Sequence, residues 1–172
     1  MVSSEIVTRI KKIIPDFKAQ SACQPYADEV VLNVEPPDFK NACLALHKIL
    51  PSPVMMLFAC DERKMRGNFV IRCVFVDFRN SQWIIVSMDI PQENPFFATL
   101  AKSIHSASLF EREIWEMFGI QPKENPDLRR LKLHDEVWPK DNYPLRKDFK
   151  IMQAGSLSDY KFSRVEGEGI FE

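Results

Sequence analysis

The chain has 172 residues, 45% hydrophobic and 27% charged, with a formal net charge of −1. That length supports one domain with a substantial core and leaves little for a second. With 23 basic residues against 24 acidic ones, there is neither a bulk positive field to draw nucleic acid nor an acidic tail.

Residues 3–14 predict a short amphipathic helix. Ile6, Ile10, Ile13 and Ile14 fall on one stripe, and Pro15 ends it. This N-terminal stretch has no long apolar run and no small-residue cleavage site, so it is not expected to be a secretory signal. Nowhere does an apolar run approach the ~20 residues that span a bilayer. If the protein works at a membrane, another subunit is expected to anchor it.

Glu29 to Val34 is a β-branched run and predicts a strand, broken by Pro36-Pro37. Asp38 is the expected N-cap of a helix through Leu50, with Ala42, Ala45, Leu46 and Ile49 facing inward. Three strands should follow: Val54–Cys60, Phe69–Phe78 and Trp83–Ile90. The last two are joined by Arg79-Asn80-Ser81 and read as a hairpin central in an antiparallel sheet.

Phe96–Ser103 predicts a short aromatic-rich helix, and Ser108–Phe118 a second. Ser108 with Glu111 forms a capping box, and Gly119 stands at the left-handed C-terminal position. The fold class is therefore α+β: a small, mostly antiparallel sheet packed with helices over residues 1–119. From 120 to 172 the texture turns rich in Pro, Asp, Lys and Arg. A structureless stretch that long is rare inside a compact domain, and predicts an extended arm laid on a partner. Leu131, Leu133, Val137, Trp138, Tyr143, Leu145, Phe149 and Ile151 are its expected anchors.

Chemistry-bearing patterns are sparse. The four cysteines, Cys23, Cys43, Cys60 and Cys73, lack C-x-x-C spacing and read as reduced, structural thiols in a reducing compartment. His47, His105 and His134 form no H-x-x-x-H pair and read as surface or hydrogen-bonded histidines. Five glycines build no phosphate loop, and neither a nucleophile elbow nor an RNA-binding aromatic pattern occurs. No catalytic, cofactor-binding or metal residue is expected. Glu111 and Glu113 could form an acid/base pair in a free-standing soluble enzyme. Local structure is the stronger explanation and needs no catalysis: the capping box takes Glu111, Arg112 can pair with Glu116 four residues on, and Glu113 lies near the positive end of the helix dipole.

One stretch carries a specific pattern. Glu111-Arg112-Glu113 precedes Trp115 and Phe118-Gly119. Pro126-Asp127-Leu128-Arg129-Arg130 follows, and then Pro144-Leu145-Arg146-Lys147-Asp148-Phe149. These three ordered blocks resemble the thirty-kilodalton (C-type) subunit family of respiratory NADH:quinone oxidoreductase, respiratory complex I. That family usually has Asp where Glu116 stands here and His where Asn125 stands. The C-terminal Val165–Glu172 is similar to the junction into the large subunit in fused relatives from energy-converting nickel–iron hydrogenases. A chain ending there is expected to be the unfused version.

The resemblance implies a non-catalytic structural or assembly subunit of the hydrophilic arm of a complex-I-like, membrane-bound oxidoreductase. An energy-converting nickel–iron hydrogenase coupling electron transfer to H+ or Na+ translocation is the first expectation, and a respiratory quinone oxidoreductase the alternative. It implies no flavin, nickel, quinone or iron–sulfur cluster in this chain. The expected partners are a large catalytic subunit, either nickel–iron-hydrogenase-like or like that of complex I, and an iron–sulfur subunit. These partners are expected to carry the redox centres. The expected location is peripheral, on the cytoplasmic side of the membrane. Arg129, Arg130, Arg146 and Lys147 are expected to lock the arm to acidic groups of the partner, as arginine's planar fork suits carboxylates. A third reading is a generic adaptor unrelated to redox chemistry, and the resemblance carried by the three blocks argues against it.

Overall fold

The computed structural model describes residues 2–19, 21–23, 26, 28–50, 52–133 and 138–150. Helix α1 (Val2–Lys11) leads into β1 (Ser21–Cys23), β2 (Glu29–Asn33), α2 (Pro36–Ile49), β3 (Met56–Asp61) and one short helical turn, α3 (Arg63–Arg66). Strands β4 (Asn68–Asp77) and β5 (Gln82–Pro91) form the long hairpin. They are followed by β6 (Phe96–Ala98), α4 (Ala107–Phe118) and β7 (Gln121–Lys123).

The main sheet has five strands in the order β1-β2-β5-β4-β3. All its pairs are antiparallel except β2 with β5, which run parallel with Leu32 opposite Val86. The hairpin is central, as its unbroken β-branched pattern requires. Alternation along each strand sends Val30 and Leu32, Leu57 and Ala59, Phe69, Ile71, Cys73 and Phe75, and Ile84, Val86, Met88 and Ile90 into one core. Ile6 and Ile10 of α1 and Phe39, Ala42, Cys43, Ala45 and Leu46 of α2 close over them. Each fully buried Phe or Leu side chain contributes roughly 1.5–3 kcal/mol. Cys43 and Cys73 meet in this layer as free thiols, and burial pushes the Cys43 pKa up, with Cys73 adding to the effect.

The hairpin turn ties down α1. Asp77 accepts from the Arg79 amide at 3.1 Å, the Asn80 side chain at 3.1 Å and Arg9 of α1 at 3.0 Å.

Three local expectations are corrected. The second helix begins at Pro36, not after Asp38. Glu35 is its N-cap, and the two prolines take the first positions, where a missing N–H costs nothing. Asp38 sits in the first turn, where its charge suits the dipole.

Phe96–Ser103 is not a helix. Phe96–Ala98 is a strand paired in parallel with β7, Phe97 opposite Pro122. Phe97 is buried while Phe96 and Ala98 face outward, a period of two, and the amides of Leu100 and Ala101 are bound by a carboxylate from α4. A segment whose N–H groups are taken this way cannot close a helical ladder beyond the single turn at Leu100–Ile104.

Finally, the capping box does not form. Ser106 is the N-cap, Ser108 lies inside α4, and Glu111 turns inward. Gly119 does take the left-handed conformation, with φ 68°.

Candidate subunit interface

Helix α4 carries the first motif block and buries Ala107, Ile114, Met117 and Phe118 beside β3. Glu111 is buried too, with none of its surface exposed. Its carboxylate accepts from the Thr99 hydroxyl at 2.5 Å, the Leu100 amide at 2.5 Å, the Ala101 amide at 3.2 Å and the Asn125 side chain at 2.7 Å. A buried carboxylate is tolerable only when its lone pairs are filled in this way. Glu111 is thus a pin joining three segments, its carboxylate filled by partners from the 99–101 segment and Asn125.

Arg112 and Glu116 do not pair with each other. Four residues apart, they present one side of α4 to the loop 127–133 and divide its main chain between them. Arg112 donates from Nε to the Arg129 carbonyl at 2.7 Å and from Nη2 to the Arg130 carbonyl at 2.8 Å. Glu116 is 4% exposed and accepts from the amides of Leu131, Lys132 and Leu133, at 3.2, 2.9 and 2.7 Å. Glu113, on the neighbouring flank, pairs with Lys132. The second block therefore lies against the first. Within it Asp127, whose amide is held by Asn125, pairs with Arg129 at 2.7 Å, which lowers its pKa to about 2.

The third block closes on the end of α4. The Leu145 amide donates to the Met117 carbonyl at 3.2 Å, and Arg146 Nε donates to the Phe118 carbonyl at 2.6 Å. A cation from a distant segment thus satisfies a helix C-terminus, where the dipole favours it. The same guanidinium stacks over Tyr143 at 4.3 Å and faces Phe69 at 5.3 Å. Next along the chain, the Lys147 amide donates to Asp61 at 2.8 Å, and Asp148 pairs with Arg63 at 2.8 Å. Arg63 also forks onto Asp61, at 2.9 and 2.7 Å, and holds its carboxyl well below the usual range against the opposing effect of burial. Phe149 stacks on Trp138, with centroids 6.1 Å apart.

All three blocks thus meet on one flank, which the sequence alone does not reveal. Arg146 and the Lys147 amide are engaged inside the chain. Asp61, Arg63 and Thr99 carry no signal in the sequence, and Asn125 stands out there only as a departure from the family pattern. Asp61 and Lys147 lie 86 residues apart, and no local signal links them. Trp115 lines a cavity of about 350 Å³ with Glu116, Arg130 and Tyr143. Pro126, Leu128 and Pro144 shape the loop and are not fully buried.

Leu131 and Leu145 stay 37% and 53% exposed. Leu145 flanks a groove of about 150 Å³ formed with Leu57, Phe58, Ala59, Glu113, Ile114 and Phe118. Val137, Ile151, His134 and Val165–Glu172 lie outside the described residues. Among those described, no cluster of three or more metal-ligating side chains occurs, and His47 has a buried Nδ1 with no hydrogen-bond partner.

Comparison with known proteins places this arrangement. A match to the family described as "Respiratory-chain NADH dehydrogenase, 30 Kd subunit" covers residues 32–154. Formate hydrogenlyase subunit 5 of Escherichia coli (strain K12) is 36% identical over 94 residues, covering 54% of this chain and 16% of that protein. Hydrogenase-4 component G of the same organism is 35% identical over 94 residues, 54% of this chain and 17% of that protein. The C/D protein of NADH-quinone oxidoreductase from Erwinia tasmaniensis is 30% identical over 110 residues, 58% of this chain and 18% of that protein. The matched segment is thus less than a fifth of each of these relatives.

Two solved structures share the fold at 18% identity. A trypsin-resistant fragment of Nqo5 aligns with a TM-score of 0.57 over 70% of this chain and 99% of that one. A chain of the membrane-bound sulfane sulfur reductase, an archaeal respiratory membrane complex, aligns with a TM-score of 0.67 over 88% of each.

Proposed function

We propose a role for this chain that starts from its identity: it belongs to the family of the "30 Kd subunit" of respiratory-chain NADH dehydrogenase. It is a non-catalytic assembly subunit in the hydrophilic arm of a complex-I-like, membrane-bound oxidoreductase. The observation that carries this reading is the gathering of the three motif blocks on one flank. Their charged side chains there hold a main-chain loop in shape and leave leucines outward. Side chains committed to holding backbone do architectural work.

An energy-converting nickel–iron hydrogenase, coupling electron flow to H+ or Na+ translocation, is the preferred setting. The similarity to formate hydrogenlyase subunit 5 and hydrogenase-4 component G supports it. The chain itself carries no redox centre. Iron–sulfur clusters and a nickel–iron centre belong to the large subunit and the iron–sulfur subunit beside it. The chain sits peripherally on the cytoplasmic face; no helix among the described residues is long and apolar enough to cross a membrane. The similarity to the C/D protein of NADH-quinone oxidoreductase favours a second setting, a donor:quinone reductase with a large subunit of the complex I type.

Affinity purification of the tagged chain from native membranes, followed by mass spectrometry, tests the proposal. A co-purifying large subunit with intact nickel-ligating cysteines supports the hydrogenase, and one lacking them supports the quinone reductase. Recovery of a monodisperse chain without companions refutes the assembly role.

A further inference from the structure

On this flank two leucines stay outside while two carboxylates go in, although Leu133 packs against the core. Glu111 and Glu116 are 0% and 4% exposed, while Leu131 and Leu145 are 37% and 53% exposed. A segment held by apolar burial would put its leucines inside and its partner's carboxylates out. Here the body grips the strap by main-chain groups that any sequence would offer. The Arg129 and Arg130 carbonyls go to Arg112, the amides of residues 131, 132 and 133 to Glu116, and the Lys147 amide to Asp61. In return the strap caps the body: Arg146 and the Leu145 amide take the last carbonyls of α4. None of these contacts uses a leucine side chain.

We propose that residues 125–133 and 143–149 form a polar latch that closes in the free subunit, and that the latch presents Leu131 and Leu145, already in place, to the larger neighbour. The inference rests on the assembly role above and adds a division of labour. Charged groups on α4 and β3, together with Leu133 packed on the core, hold the strap, and Leu131 and Leu145 are reserved for association. Docking is then rigid, without the ordering cost of a segment that folds on binding.

Amide hydrogen exchange on the full free chain tests the latch. Expected are amides of Leu131, Lys132, Leu133 and Lys147 exchanging at least ~10-fold more slowly than unprotected amides. Glu116→Ala should abolish protection at 131–133 while the β4–β5 amides stay protected. Should that variant fail to fold, Arg112→Lys, which keeps the charge but loses the two-pronged reach, is read at the same amides. Leu131→Ser and Leu145→Ser should leave the protection intact and lower recovery of the large subunit at least ~10-fold.

Strap amides that exchange freely in the free chain and slow only in the complex overturn the latch, even where co-purification succeeds. Leucine substitutions that open the strap overturn it as well. Protection in the free chain, with recovery unchanged by both leucine variants, overturns the presentation of the leucines and leaves the assembly role without its anchors.

Discussion

Replacing Gly119 by alanine should open the junction between α4 and the strap. Gly119 has φ 68°, and a Cβ there would stand 2.4 Å from Tyr143 Cζ, 2.6 Å from its Cε2 and 2.7 Å from Arg146 Nη2. The left-handed backbone alone costs a residue with a Cβ roughly 1–2 kcal/mol. The obstructing atoms are the far ends of side chains, so they can swing aside, but only by giving up what they hold. The displaced group is the Arg146 hydrogen bond to the Phe118 carbonyl, and a bond from a charged donor is worth about 1.5–3 kcal/mol. The expected total is about 3 kcal/mol, a drop in Tm of ~6–12 °C for a chain of this size.

Urea unfolding of the full chain measures the change. In a Tyr143→Ala, Arg146→Ala background, where both obstructing side chains are gone, the cost of Gly119→Ala should fall to the backbone contribution of ~1–2 kcal/mol. A loss below ~0.5 kcal/mol in the otherwise native chain would mean that the strap does not crowd the helix end, and the reasoning fails.

Three further outcomes are expected. Asp61→Asn should destabilise the chain at neutral pH, with the difference shrinking in acid. Arg63 holds the Asp61 pKa below its ordinary ~3.9, so the stabilisation is complete above that value and is lost as pH falls through the folded-state pKa; urea midpoints at neutral and strongly acid pH compare the two. Asn125→Leu removes a donor from the buried Glu111 carboxylate and should cost about 1–3 kcal/mol, whereas Asn125→His, the residue usual in the family, can donate in its place and should cost less than ~1 kcal/mol by thermal unfolding. Glu124→Gln breaks an exposed pair with Lys102, the side chains being 72% and 49% exposed, and should leave the thermal unfolding midpoint unchanged in the same assay.

The sheet and its two main helices were legible in the residues because their signals are local. The β-branched runs at Glu29–Asn33, Asn68–Asp77 and Gln82–Pro91, and the apolar stripe of Ala42, Ala45 and Leu46, record which face is buried within a few residues of each position. Gly119 was legible for the same reason, since a helix must end somewhere and glycine ends it at least cost. The three motif blocks marked this flank by resemblance, without saying what their side chains do.

Those roles were decided only by the tertiary fold. Ser108 and Glu111 satisfy the capping-box spacing, and Arg112 and Glu116 the spacing of a helical ion pair. Both local solutions lost to longer-range partners: Thr99, Leu100 and Asn125 for Glu111, and the 129–133 backbone for the other two. Phe96–Ala98 became a strand because β7, on the far side of α4 in the chain, supplied an edge to pair with. A side chain's periodicity states which way it faces, but a carboxylate's or a main-chain amide's partner depends on what the folded chain brings within hydrogen-bonding distance. Local sequence carries no record of that distance, so the body was readable from the residues and the latch was not.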